Sequence, residues 1–427
     1  MRQINLTEYQ ESNPITLEVD ERDVLKDLLS SVSIEPVKHT SNKYRLRPGS
    51  IVGALEMDGL SVLIKPKIGM PQLLSLACYA LGIYKQQDKE FSFAKDEALP
   101  DVLALALIAA ARRAFGRGLL RGYLSEEDAL HTVRGRIRFE DQIRRRYGIP
   151  LPVELRFDEF TEDILANQLV KAAAARLRRM TLRSSEARRG LGWIAAILEN
   201  VSLLEFRRRN VPEIRFDRLN EHYRHVVGLA RLILLHSEFE SFRGDVRASG
   251  FLIDMNALFQ EFVTQALRKT LEVSADTLRA EKKIHLAVGK EITMYPDLTW
   301  WDGDNCTFVG DAKYKKVDDR SVPNVDLYQV LAYATALDLP GGILVYAKGE
   351  TDPATYTVRY AGKRLEVFSL DLAGSLDQVL ARVKTLACRI ESMRAEALHF
   401  RASKNIIATP PTVAQYSSPT TQQRIPA

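Results

Sequence analysis

Residues 295–316, "YPDLTWWDGDNCTFVGDAKYKK", limit the fold more tightly than any other stretch of this chain. Two runs rich in β-branched and aromatic residues flank Asp302-Gly303. That dipeptide between such runs signals a hairpin, because a tight turn asks for a backbone that Asp and Gly tolerate. Side chains alternate along a strand, so Val309, Asp311 and Lys313 share one face while Phe308, Gly310, Ala312 and Tyr314 take the other. The turn brings Asp297 alongside that acid and lysine. Pro296 lacks an amide donor, so a bulge or a strand end is expected beside Asp297.

The surroundings extend this pattern into a module over 246–401. An amphipathic helix, "DMNALFQEFVTQALRKTLE", precedes the hairpin, and a helix "VDLYQVLAYATAL" and a strand "GGILVYAK" follow it. A strand around "TYTVRYA" and a helix from Ser375 complete an alternation that implies an α/β core. Residues 1–95 alternate as strands do, with Asp58-Gly59 between two apolar runs and a helix beginning at Pro71, and are expected to form a β-rich domain. Residues 96–245 have helical spacing with many arginines, and 402–427, rich in Pro, Thr, Ser and Gln, read as a disordered tail. The expected fold is therefore α+β multidomain: a β-rich amino-terminal domain, a basic helical middle and a carboxy-terminal α/β core. A length of 427 residues suits two or three domains.

Charge matters here through its distribution. The whole chain carries +5, yet residues 111–190 hold eighteen Lys and Arg against eleven Asp and Glu. Clusters such as Arg134, Arg136 and Arg138, then Arg144, Arg145 and Arg146, either track a phosphate backbone or pair with acids of the chain itself. Cys78, Cys306 and Cys388 lie far apart without a CxxC pair, as reduced thiols do. No signal peptide is evident, and the longest apolar run, "VLALALIAAA", is too short to span a membrane, so a cytoplasmic protein is expected. No GxxxxGK[ST] occurs, so any nucleotide hydrolysis has to come from another chain. His222 and His225 have metal-ligand spacing on a helix but no evident third ligand.

Two carboxylates brought together repel, by about 4 kcal/mol at about 4 Å with an effective dielectric of about 20. A divalent cation turns that repulsion into binding, and Mg²⁺ takes one or two carboxylates with water and phosphate. Phosphodiester hydrolysis needs such a centre, and a lysine two residues from a ligand orients water or offsets developing charge. On its own, Asp-x-Lys arises by chance in most long chains. Context adds Gln329 and Tyr333, spaced i and i+4 on the following helix, although a half-buried helix face explains that pair as well.

Together these residues resemble the PD-(D/E)xK nuclease superfamily: Pro296-Asp297, then Asp311-Ala312-Lys313, with Gln329-x-x-x-Tyr333 of the kind its RecB-like members carry. More narrowly the chain resembles the McrC family, nuclease subunits of McrBC modification-dependent restriction systems. The likeness covers most of the length through "GLSVLIKPKIGMPQLLSLACYALG", "VRGRIRF", "FDEFTEDILANQLVKAA", "DMNALFQEFV", "YPDLTWW", "GDAKYK" and "DLYQVLAYA". This resemblance implies a restriction-endonuclease-like core using Mg²⁺, with Mn²⁺ as a substitute. It implies Asp297, Asp311 and the Ala312 carbonyl as metal ligands, Lys313 as the catalytic lysine and Gln329 in support. Relatives carry an acid where this chain has Gln260, so either adjacent Glu261 serves as a ligand or the metal is held without it. The partner implied is an McrB-like AAA+ GTPase hexamer, docked by residues 1–95 and stimulated by this chain, and the substrate is double-stranded DNA bearing modified cytosine. Two other readings stay open: a non-catalytic adaptor holding DNA against an AAA+ ring, and a stand-alone RecB-like repair nuclease.

Overall fold

The computed structural model describes residues 2–28, 31–40, 42–57, 59–82, 99–147, 149–207, 210–243, 246–314, 323–347 and 354–408. The amino-terminal part runs β1 (Arg2–Thr7), β2 (Ile15–Thr16), α1 (Val19–Leu28), β3 (Val32–Pro36), β4 (Lys43–Pro48), β5 (Ile51–Met57), β6 (Leu60–Lys65) and α2 (Met70–Ala80). β5 and β6 form the hairpin expected at Gly59, whose φ of 82° only glycine adopts easily. Pro71 lies in the first turn of α2, where its missing N–H costs nothing.

The middle part runs α3 (Leu99–Phe115), β7 (Gly122–Leu130), β8 (Arg136–Ile137), α4 (Phe139–Arg146), β9 (Val153–Thr161), α5 (Leu165–Arg178), α6 (Ser185–Ile197), α7 (Arg224–His236), β10 (Ser237–Arg243) and β11 (Val246–Asp254). Its helices pack as expected, but the sheet β7-β9-β8 interrupts them. β7 and β9 pair along nine residues around a small core of Val153, Leu155 and Phe157. The acidic run Glu126-Glu127-Asp128 in β7 and the many charges of β9 masked these strands within an arginine-rich stretch. The arginine clusters also find acids: Arg134 pairs with Glu159, Arg138 with Glu127 and Asp141, Arg144 with Asp141, and Arg145 and Arg146 with Glu154. Internal pairing therefore accounts for most of the local positive charge.

The boundary near residue 246 does not separate two bodies. β11 pairs with β5 from Ala248 opposite Met57 to Asp254 opposite Ile51, giving a five-stranded sheet in the order β1-β6-β5-β11-β10. Gly53 permits this pairing, since a Cβ there would lie 1.9 Å from the Phe251 carbonyl oxygen. The apolar run Phe251, Leu252 and Ile253 rewards it by burial.

The last part runs α8 (Met255–Thr270), β12 (Leu278–Arg279), β13 (Ile284–His285), β14 (Thr293–Met294), β15 (Leu298–Asp302), β16 (Asn305–Lys313), α9 (Asn324–Ala336), β17 (Gly341–Ala347), β18 (Ala354–Thr357), β19 (Arg364–Leu370) and α10 (Leu376–Ala408). Its sheet, β12-β15-β16-β17-β19-β18, has β16, β17 and β19 parallel at its centre and antiparallel strands at its margins. One face, carrying Phe308, Ala312, Tyr314, Ile343 and Val345, joins α8 and α10 in the main core. The other, carrying Val309, Leu344 and Tyr346, is covered by Val330 and Tyr333 of α9. α10 continues through Ala408, so 402–408 extend a helix instead of opening a tail, and 409–427 lie outside the described residues. No helix among the described residues is long and apolar enough to cross a membrane.

Candidate metal and catalytic site

The hairpin β15–β16 turns at Gly303, with φ 62°, and pairs Leu298 with Gly310 at its far end. Pro296 sits just before the strand, so the outcome of its missing donor is a strand end at Asp297; the register shift falls further along, between Trp300 and Trp301. From there the Asp297 carboxylate accepts the Ala312 amide proton at 2.9 Å. Ala312, expected to offer its carbonyl to a metal, thus holds Asp297 through its N–H while its residue pairs with Val345 in the ladder.

Asp311 is buried, with 1% of its surface exposed, and Lys313 Nζ lies 2.6 Å from its Oδ2 as an ion pair. Beyond Lys313 and the facing Asp297, neither carboxylate oxygen meets a hydrogen-bond partner among the described residues. Burial, and then the facing Asp311, push Asp297 up to about 7. Burial likewise raises Asp311 above the carboxylate range, although Lys313 opposes it. For Lys313 burial works downward, but Asp311 and Asp297 outweigh it, so the ammonium is held above its usual value. Two facing carboxylates, Asp311 buried and Asp297 half-buried, are costly with only Lys313 to balance them. These residues fit a hard divalent ion, which would take its oxygen ligands from Asp297 and Asp311.

α9 covers this face and completes the site. Gln329 Nε2 donates to the buried Tyr333 hydroxyl at 2.6 Å, and that hydroxyl donates to the Tyr295 carbonyl at 3.4 Å. The chain entering Asp297 is thereby tied to the helix. Gly342 allows the approach: a Cβ on it would lie 2.6 Å from Val330 Cγ1.

The structure does not bring Glu261 to this centre. α8 packs on the opposite face of the sheet, and exposed Glu261 accepts from Gln265 at 2.9 Å. Gln260 donates to Glu281 at 3.3 Å. No group of three or more His, Cys, Asp or Glu able to hold a metal occurs among the described residues, which includes His222 and His225.

Sequence reasoning passed over Asp326 and Tyr346. Asp326 is buried and accepts the Tyr346 hydroxyl proton at 2.5 Å; Tyr346 lies opposite Lys313 in the parallel ladder. The Asp326 charge reaches both Asp311 and Lys313. A signal was present, since Asp326 precedes Gln329 by three positions and shares its helix face.

Fold and site define a protein whose mixed sheet carries a facing pair of carboxylates, Asp311 buried and Asp297 half-buried, and a lysine beneath one covering helix. The family described as "McrBC 5-methylcytosine restriction system component" matches residues 46–347, and this chain belongs to it. It is 24% identical over 311 residues to the "Type IV methyl-directed restriction enzyme EcoKMcrBC" of Escherichia coli (strain K12), an alignment spanning 67% of this chain and 88% of that one. The fold is similar to a chain in the refined half-complex from a tetradecameric assembly of Thermococcus gammatolerans McrB AAA+ hexamers with bound McrC. That comparison has TM-score 0.57 and 17% identity, and covers 90% of this chain and 98% of the other.

Proposed function

We propose that this chain is the Mg²⁺-dependent DNA endonuclease subunit of an McrBC-type restriction system, of PD-(D/E)xK type, acting with an McrB-like AAA+ GTPase whose hydrolysis it stimulates. One observation carries the reading: a buried acid faces a second acid, is ion-paired at 2.6 Å to a strand-borne lysine, and meets no hydrogen-bond partner outside this cluster among the described residues. One lysine balances only one of two facing carboxylates. The other charge is left for a cation.

Asp297 and Asp311 would hold a Mg²⁺ ion, which would supply positive charge against the scissile phosphate and a more acidic water. The Ala312 amide orients Asp297 toward Asp311, and Gln329 and Tyr333 fix the turn before it. Lys313, kept protonated by its acidic neighbours, stabilises negative charge developing on the phosphate oxygens. Its strand placement limits the motion a surface lysine would have.

Partner binding is supported by the family. Tyr123, Phe139, Ile143, Tyr147 and Phe160 stand exposed on and beside β7, α4 and β9, so the middle region offers apolar surface to a partner in addition to residues 1–95. The reading is tested by replacing Asp311 with Asn, or Lys313 with Ala, and measuring cleavage of 5-methylcytosine DNA with the GTPase partner present. Loss of cutting with GTPase stimulation retained is expected, and undiminished cutting overturns it.

A further inference from the structure

Tyr314 follows Lys313 and points to the opposite face of the sheet, into the core shared with the amino-terminal part. Its hydroxyl donates to Glu8 Oε1 at 3.0 Å. Its carbonyl accepts from the Tyr9 hydroxyl at 2.8 Å. The residue after the catalytic lysine is therefore gripped at both its side chain and its backbone, by two adjacent residues more than three hundred positions earlier.

Those two residues are themselves held. Glu8 N donates to the Lys65 carbonyl and Tyr9 N to the Pro48 carbonyl, while Tyr9 adopts φ 58°, a left-handed conformation unfavourable for a bulky side chain. Such strain persists only where surroundings over-determine it. Lys67 Nζ stands 4.4 Å from the Tyr9 ring, and the Lys67 amide donates to Glu8 Oε1 at 2.8 Å. On the other side the Phe259 ring of α8 lies 6.1 Å from the Tyr314 ring.

Glu8 is wholly buried, and its Oε2 has no hydrogen-bond partner among the described residues. An apolar side chain would fill that space at lower cost. A buried acid whose one oxygen gathers the Lys67 amide and the Tyr314 hydroxyl gives direction instead. β16 ends at Lys313, and a strand end without such ties frays first.

We propose that Glu8, through Tyr314 and with Tyr9 as second anchor, is a positioning residue that sets Lys313 from the amino-terminal sheet, so that the nuclease centre is assembled only while that sheet is seated. This rests on the nuclease reading above. A movement of β1 against the nuclease sheet would be passed to Lys313 without altering the carboxylates.

The test uses the full chain with its GTPase partner and duplex DNA carrying 5-methylcytosine, and compares Tyr314→Phe, Glu8→Ala, Glu8→Gln and Lys313→Ala. Single-turnover cleavage at saturating DNA should fall roughly 10- to 100-fold in Tyr314→Phe and Glu8→Ala, the cost of misplacing a catalytic group by about 1 Å. KM for DNA, GTPase stimulation and the melting temperature should stay near those of the parent. Glu8→Gln keeps the oxygen that accepts both donors, so its rate should return to within about threefold of the parent. Parent-like cleavage by Tyr314→Phe and Glu8→Ala, with Lys313→Ala inactive, would overturn the link and leave the nuclease reading standing. Loss of cleavage in step with melting temperature and GTPase stimulation would overturn it too, as ordinary destabilisation. Undiminished cutting by Lys313→Ala would overturn both.

Discussion

Asp297 and Asp311 cannot both ionise cheaply while no cation lies between them, and this shapes how the metal-free chain responds to pH. The folded value for Asp297, about 7, lies above its ordinary 3.8. The protonated acid therefore adds stability that is fully present below 3.8 and is lost as pH rises through 7. In EDTA at pH 8, Asp297→Asn should melt above the parent, by on the order of 1 kcal/mol or more in stability, because the carboxylate repulsion is gone. A melting temperature below the parent's would contradict the buried-pair account. On the proposed function, a Mg²⁺ ion held by the two acids would displace that proton, so its stabilisation of the parent should be larger at pH 8 than at pH 6, which thermal melts with and without the ion measure. Tyr333→Phe should cost about 1 kcal/mol, the worth of a lost hydrogen bond, and slow cleavage by freeing the Tyr295 carbonyl. Spacing made Asp297, Asp311, Lys313, Gln329 and Tyr333 candidates, and the family resemblance, not the spacing, gave them roles. Spacing missed Asp326 because the Tyr346 hydroxyl that reveals its inward direction belongs to another strand.

Local chemistry governs the strands and helices, which is why both Asp-Gly hairpins and the helix after Pro71 could be read directly from the chain. The sheet β7-β9-β8 escaped because β7 is largely exposed and carries a run of three acids, and charge runs look alike on a helix and on an exposed strand. That sheet decides what its arginines do. Buried Asp141 and Glu154 pair with Arg144, Arg145 and Arg146, whose side chains reach them from the surface. Replacing the three with Gln should destabilise the module by about 1–3 kcal/mol, since it leaves buried Glu154 without its arginines while Arg138 still pairs with Asp141. The salt dependence of DNA affinity should stay unchanged. A slope shallower by about one per arginine removed would return these residues to phosphate contact.

The pairing of β5 with β11 joins segments about two hundred residues apart, and no local pattern announces it. The main core likewise draws on α2, α3, α5, α7, α8 and α10. Ser50 donates to Asp254, the cap of α8, and accepts through its carbonyl the amide of Met255. The helices α8 and α10 that cover one face of the β15–β19 sheet thus pack in turn on α2, outside 246–401, and a boundary drawn from changes in spacing could not reveal it. Helical and strand periods report which side of an element is apolar, not which distant element covers it. A fragment of residues 255–408 should therefore fail to melt cooperatively by circular dichroism, because α8 loses α2 and Tyr314 loses Glu8 and Tyr9. Adding residues 1–254 as a separate chain should restore a single transition, since the missing contacts are non-covalent. A cooperative melt of the fragment alone, raised by Mg²⁺, would mean that the nuclease sheet folds independently and that the amino-terminal part only modulates it.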